Sequence, residues 1–312
     1  MNVYSCPSCG ARLFPEVLAC ACGQALMFDP RQDCVTPLDD RACAHRARLG
    51  CSWIAEGDGG LCLSCATTQL EPHLSADDAP ALWEKAEAAK RWALVGLLRL
   101  GWFVGPDAPL PVFHMLSEKV DGARQSVMMG HQDGLITLNI MEADPARAQA
   151  RKQRFAEPLR TMVGHVRHEL AHFLFDRLAQ TQPDFAPAFR ALMGDERDDY
   201  ATAMAAYYEN GPADGWQDTH ISAYATAHPH EDWAETAANA LHLLDLSHSA
   251  QALNLGLAGD SALDQAQTVG VMLNHFCRSL GQPDPYPMII SPGVHDKLSF
   301  ALGYLDCRGS AV

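Results

Sequence analysis

VGHVRHELAHFLFD, residues 163–176, is the stretch that decides how this chain of 312 residues is read. It holds His168-Glu169-Leu170-Ala171-His172, an HExxH pattern. Histidines four apart on a helix sit one turn above each other, so both imidazoles can reach a single zinc ion. Glu169 lies on nearly the same face, where it can take a proton from an activated water and pass it to a leaving amine. At 100° per residue, His165, His168, Glu169, His172 and Asp176 share an arc of about 100°. Leu159, Met162, Val163, Val166, Leu170, Phe173 and Leu174 fill the broadly opposite arc. The plain alternative is the wet side of an amphipathic helix. Such sides usually carry Lys, Glu and Arg, and three histidines there favour a metal.

A catalytic zinc needs a third protein ligand and an open fourth position. Two acidic segments follow the motif. GDERDDY (194–200) offers Asp195 and Glu196. HPHEDWAETAANALH (228–242) offers His228, His230, Glu231, Asp232 and Glu235, with Glu231, Glu235, Ala238 and His242 along one helical face. A carboxylate ligand with a second acid one turn later suits a glutamate-type zincin. Glu231 is the favoured ligand over Glu196, and Glu235 the acid that receives the N–H of a ligating histidine and fixes its tautomer. Tyr224, His220 and His228, just before that helix, are candidates for the donor that stabilises a tetrahedral oxyanion. His165, one turn before His168, is placed to support the site or to touch substrate.

Outward from the motif, helical periodicity continues. Ala81 to Trp102 reads as a long helix with Leu82, Ala86, Ala89, Ala93, Leu97 and Leu100 near its apolar face. GPDAPLP (105–111) is a break. In GHQDGLITLNIMEAD (130–144), an Asp133-Gly134 turn leads into a buried strand in which Leu135, Thr137 and Asn139 alternate with Ile136, Leu138 and Ile140. The stretch from Leu135 to Met141 is also a candidate edge for an extended peptide. Further helices are expected over 158–180, 229–246, 268–280 and 294–304. The fold class is α+β: a mostly helical zincin-like catalytic domain over 76–312, behind a small double zinc-ribbon domain over 1–75.

Eleven cysteines are present, nine of them before residue 66. Cys6-Pro-Ser-Cys9-Gly10 is a zinc knuckle, and Cys20-Ala-Cys22 is its natural partner although one residue short of the usual spacing. Cys43, Cys51, Cys62 and Cys65 make a second set, with Cys34 and His45 as substitutes. A segment this short has little apolar core and depends on metal to fold. Two structural zinc ions and one catalytic zinc follow.

Zinc-ribbon cysteines, then GHVRHELAH, GDERDDY and AYATAHPHEDWAET in that order, and PYPMIISP near residue 290, resemble the bacterial family of zinc-binding metallopeptidases. The resemblance spans nearly the whole chain. It implies a gluzincin-like domain in which His168 and His172 are ligands, Glu169 the base and Glu231 the third ligand. The zinc-activated water with Glu169 as base makes a peptide or protein the expected substrate.

Charge and composition narrow the field. Lys and Arg total 23 against 38 Asp and Glu, a net charge of −15, and residues 1–75 carry −3 with no basic stripe. Nucleic acid is disfavoured as a partner, and a protein contact through the ribbons is more plausible. The longest apolar stretch, Trp92 to Phe103, is broken by Arg99 and too short to span a membrane. MNVYSCPSCG has neither a basic n-region nor an apolar h-region, and with these cysteines the expectation is a cytoplasmic protein. The rival from a different class is a zinc-dependent scaffold whose HExxH site binds metal without turnover.

Overall fold

The computed structural model describes residues 2–56, 59–105, 108–147, 161–257, 259, 261–285 and 290–308. Its elements are α+β, with the strands all before residue 140 and helices from there on. The chain contacts itself in two compact units: the described parts of 1–150, 161–166 and 251–255, and those of 167–250 and 256–312.

The first unit begins with two antiparallel hairpins, β1 (Tyr4–Ser5) with β2 (Arg12–Leu13) and β3 (Leu26–Asp29) with β4 (Cys34–Pro37). The one-turn helices α1 (Arg46–Leu49) and α2 (Leu63–Ala66) and the strand β5 (Thr68–Leu70) follow. Then comes α3 (Ala79–Arg99), with a proline in its first turn, where the missing N–H is harmless. Its expected apolar stripe, Leu82, Ala86, Ala89, Ala93, Leu97 and Leu100, is buried throughout. It ends before Trp102 because Gly101 takes a left-handed φ of 91°, which breaks the helical ladder. Tyr4 Oη donates to Asp33 at 2.6 Å and Arg99 Nη2 reaches the same carboxylate at 2.8 Å, pinning both hairpins to the end of α3.

Beyond α3 lie β6 (Val112–Leu116), the small hairpin of β7 (Lys119–Val120) with β8 (Ala123–Arg124), β9 (Gly130–Gln132) and β10 (Leu135–Asn139). Asp133 and Gly134 both have positive φ, 49° and 84°, the type I′ turn that matches strand twist. They join β9 to β10. The sheet order is β5-β6-β10-β9, and Phe113, Met115, Ile136 and Leu138 are its buried face. β10 pairs with β6 on one side and β9 on the other, so it offers no free edge to a peptide. That expectation is corrected: the edges are β5 and β9. The strand also stops at Asn139, whose side chain accepts from Met141 N and turns the chain into a 3-10 helix, Ile140–Ala143.

α4 (Met162–Thr181) carries the HExxH motif and passes into the second unit at Arg167. The start expected near Pro158, and Leu159 of its apolar arc, lie outside the described residues, as do 106–107 of the proline-rich break and 286–289. The second unit adds α5 (Phe185–Met193), α6 (Tyr200–Asn210), α7 (Pro229–Ala252), α8 (Ala262–Ser279) and α9 (Pro292–Leu305). A Ser261–Asp264 capping box starts α8 six residues earlier than expected from its apolar pattern. The core of this unit is Trp233, fully buried, with Phe185, Phe189 and Phe300 against its ring. Trp233 Nε1 donates to the Ala171 carbonyl at 2.8 Å, tying α7 to α4 between the two motif histidines. Arg167, 3% exposed, adds a second tie: it bonds His242 Nδ1 at 2.6 Å and pairs with Asp245.

Candidate functional site

α4 and α7 are held together by those two ties, and the polar face between them gathers the motif residues. His168 Nε2 and His172 Nε2 lie 3.3 Å apart. Glu231 Oε2 is 3.0 Å from His168 Nε2, and its Oε1 is 3.7 Å from His172 Nε2. Donors placed about 2.0–2.1 Å from a tetrahedral zinc sit about 3.3 Å from one another, which is the spacing of the two imidazole nitrogens, and each of those has a Glu231 oxygen within 3.7 Å.

The hydrogen bonds around the trio fix which lone pairs point inward. Glu235 Oε1 is 2.8 Å from His168 Nδ1, and its Oε2 accepts from Ser222 Oγ at 2.8 Å. A proton on Nδ1 leaves Nε2 with a lone pair aimed at His172 and Glu231. Glu231 Oε2 is buried without a hydrogen-bond donor of acceptable geometry. Converging lone pairs on two imidazoles and a buried carboxylate repel unless a cation or a proton lies between them, so the donor set fits zinc. Without a metal the balance shifts to protons. Burial pushes His168 toward neutrality, but the carboxylates of Glu231 and Glu235 outweigh it and hold the pKa well above the usual histidine value. Burial raises Glu231 as well, and the two histidines overcome that and hold it far below the usual carboxylate range.

Glu169 is 7% exposed, and burial lifts its pKa while the two histidine charges work against the rise. A carboxyl raised in this way is a better proton acceptor near neutral pH. Tyr224 lies over the site with its ring 6.1 Å from that of His168, its pKa raised by burial and by the Glu231 charge. Tyr200 is a residue the sequence does not single out. Its hydroxyl donates to Glu231 Oε1 at 2.7 Å, and burial together with the Glu231 charge raises its pKa. The available signal was its place at the end of GDERDDY, directly after Asp199, whose side chain caps α6 by accepting from Thr202 N.

The remaining candidates are elsewhere. Glu196 pairs with Arg190, and His228 stacks on His230 and reaches the Asp198 carbonyl at 3.1 Å. His220 Nε2 is 3.8 Å from Asp232, which also binds Lys297. His165 turns to Glu142 at 3.7 Å, within the first unit.

In the first unit the cysteines form two groups whose sulfurs all lie within 4.8 Å of one another: Cys6, Cys9, Cys20 and Cys22, and Cys43, Cys51, Cys62 and Cys65. All eight are free thiols. Sulfurs about 2.3 Å from a tetrahedral zinc lie about 3.8 Å apart. Cys9–Cys20 and Cys51–Cys62 are at 3.6 Å, and Cys6–Cys22 and Cys51–Cys65 at 3.8 Å. The short Cys20-Ala-Cys22 spacing therefore does not prevent a four-sulfur set. Cys34 and His45 are outside both groups.

A helical unit with an HExxH helix facing a glutamate helix, in a chain with two four-cysteine clusters, is the class these observations define. The chain belongs to the family described as "Putative zinc-binding metallo-peptidase", whose profile matches residues 79–303. It is 36% identical to uncharacterized proteins of Mycobacterium tuberculosis and Mycobacterium bovis, over 96% of this chain and 94% of theirs. No solved structure matches it. No helix among the described residues is long and apolar enough to cross a membrane.

Proposed function

We propose that the chain is a zinc metallopeptidase that hydrolyses peptide bonds, with residues 76–312 as its catalytic part. The observation that carries this reading is the convergence of His168, His172 and Glu231, with Glu235 orienting His168 and Glu169 buried beside them. His168, His172 and Glu231 would hold the zinc. When bound, zinc supplies Lewis acidity, acidifying water toward neutral pKa and polarising a peptide carbonyl. Glu169 accepts the proton of the attacking water and returns it to the departing amine. Tyr224 and Tyr200 are the phenols near enough to donate to the oxyanion, with Tyr200 already engaged by Glu231.

The two cysteine clusters of residues 1–75 take the structural zinc ions in this reading and offer a surface for a protein partner. Eight thiols grouped for metal suit a reducing compartment such as the cytoplasm. The net charge of −15 argues against a nucleic-acid partner.

The test is zinc content and peptide hydrolysis of the wild type beside Glu169→Gln. The expected result is hydrolysis lost at least about a thousandfold in the variant with zinc retained. Zinc bound at this site in a wild type that cleaves no peptide would instead support the scaffold reading.

A further inference from the structure

α6 is an unusual helix for a protein surface. Its sequence, YATAMAAYYEN, has one charged residue, Glu209, and buries one side chain, Met204. Ala201, Thr202, Ala205 and Ala206 are exposed, Tyr200 is 45% and Tyr208 72% exposed. Exposed helical positions normally carry Lys, Glu, Gln or Arg, which cost nothing to solvate and favour the helix. At 100° per residue Tyr200, Met204 and Tyr207 share a face and Tyr208 borders it.

That face runs into the candidate metal site. Tyr208 and Tyr207 have ring centroids 5.7 Å apart, Tyr207 meets Tyr224 edge-on at 5.9 Å, and Tyr224 is 6.1 Å from His168. At the N-terminal end of the helix Tyr200 is bonded to Glu231. A continuous aromatic wall therefore leads from solvent to the zinc-type trio. The small, exposed side chains of Ala201 and Ala205, next to Tyr208 around the helix, leave that flank low enough for an extended chain to approach. Tyrosines present large contact area with two rotatable angles each, so little entropy is lost when a side chain packs on them.

We infer that α6 is the specificity wall of the site, and that it selects an extended peptide carrying a bulky apolar or aromatic side chain beside the scissile bond. This rests on the peptidase reading for the chemistry but not for the binding. Continuity with the trio argues for substrate rather than a separate partner, and the lack of charge on the wall argues against acidic or basic side chains.

The experiment uses the zinc-loaded full chain and internally quenched Gly/Ser peptides that differ at one position, Phe, Leu, Lys, Glu or Gly. The expected kcat/KM is at least about tenfold higher for Phe and Leu than for Lys or Glu. In Tyr208→Ala, whose side chain is mostly in solvent, the Phe-over-Gly preference should fall about five- to tenfold, chiefly through KM. An unfolding midpoint within a few degrees of wild type is the expected control that the same variant keeps its fold. Cleavage without apolar preference, a preference for Lys, or an unchanged ratio in Tyr208→Ala overturns the inference while leaving the peptidase reading intact. If no peptide is cleaved, the peptidase reading fails, and fluorescence anisotropy of the same peptides decides the surface. Phe-selective binding weakened in Tyr208→Ala supports it, and absence of such binding overturns it too.

Discussion

Replacing Glu235 by alanine tests the geometry of the zinc-type site more sharply than replacing any ligand. Glu235 does not join the trio; it holds His168 Nδ1 at 2.8 Å and is itself held by Ser222 at 2.8 Å. Its removal leaves all three donors present but lets the His168 ring rotate and choose either tautomer. Partners of this kind contribute roughly 10–100-fold to metal affinity, which is about 1.4–2.8 kcal/mol. Glu231→Ala removes a donor outright and should abolish tight zinc binding at this site. Glu235→Gln keeps an acceptor oxygen for His168 and should fall between alanine and wild type. The assay is competition for zinc against a chromophoric chelator, with the zinc of the cysteine clusters as an internal reference in the same protein. Wild-type affinity in Glu235→Ala, or a loss as complete as that of Glu231→Ala, would refute the division of roles between the two glutamates.

Elemental analysis of protein purified without chelator should give close to three zinc ions per chain, and a value near one would remove the cysteine clusters from the account. Arg167→Met should lower stability by roughly 2–4 kcal/mol in chemical denaturation, because it strips buried ties to His242 and Asp245; a change under about 0.5 kcal/mol would show those contacts to be idle. Desolvation, and after it the charge of Arg167, depress the pKa of His242 to about 3. Below its unfolded value of about 6.5 the unfolded chain takes up a proton that the folded chain refuses, so stability falls with pH from about 6.5 toward 3, by up to about 1.4 kcal/mol per unit. His242→Gln should flatten that slope, and an unaltered slope would place the titration elsewhere. Duplex DNA should bind weakly or not at all at physiological salt, measured by anisotropy, and tight sequence-selective binding would reverse the charge argument.

What could be read from the sequence was what repeats at short range. His168 and His172 are four apart, and the stripe from Leu82 to Leu100 follows one helical period, so both were visible without knowing any partner. Asp133-Gly134 announced its turn because only positive φ at both residues closes that hairpin. The cysteine knuckles were legible for the same reason, down to the irregular Cys20-Ala-Cys22 pair. Edge status was not legible, because β10 gains its second neighbour from β6, more than fifteen residues away, and no local pattern records that. α5 and α6 were also missed. Both are short, and the exposed face of α6 carries alanine and tyrosine where a helix usually declares itself by charge.

The site shows the same division between local and distant information. Glu231 and Glu235 could be picked from HPHEDWAET because one turn separates them, yet Ser222 and Tyr200 could not. Ser222 reaches Glu235 across a loop, and Tyr200 reaches Glu231 from another helix 31 residues earlier. Both are hydroxyls on carboxylates, and a hydroxyl has no spacing rule because any element that ends nearby can supply it. The buried Glu231 and the partly buried Glu235 on one helix, next to a third carboxylate, Glu169, would be mutually destabilising without such donors and a cation to face. The acids therefore imply that compensating groups must exist, while only the fold says which residues they are.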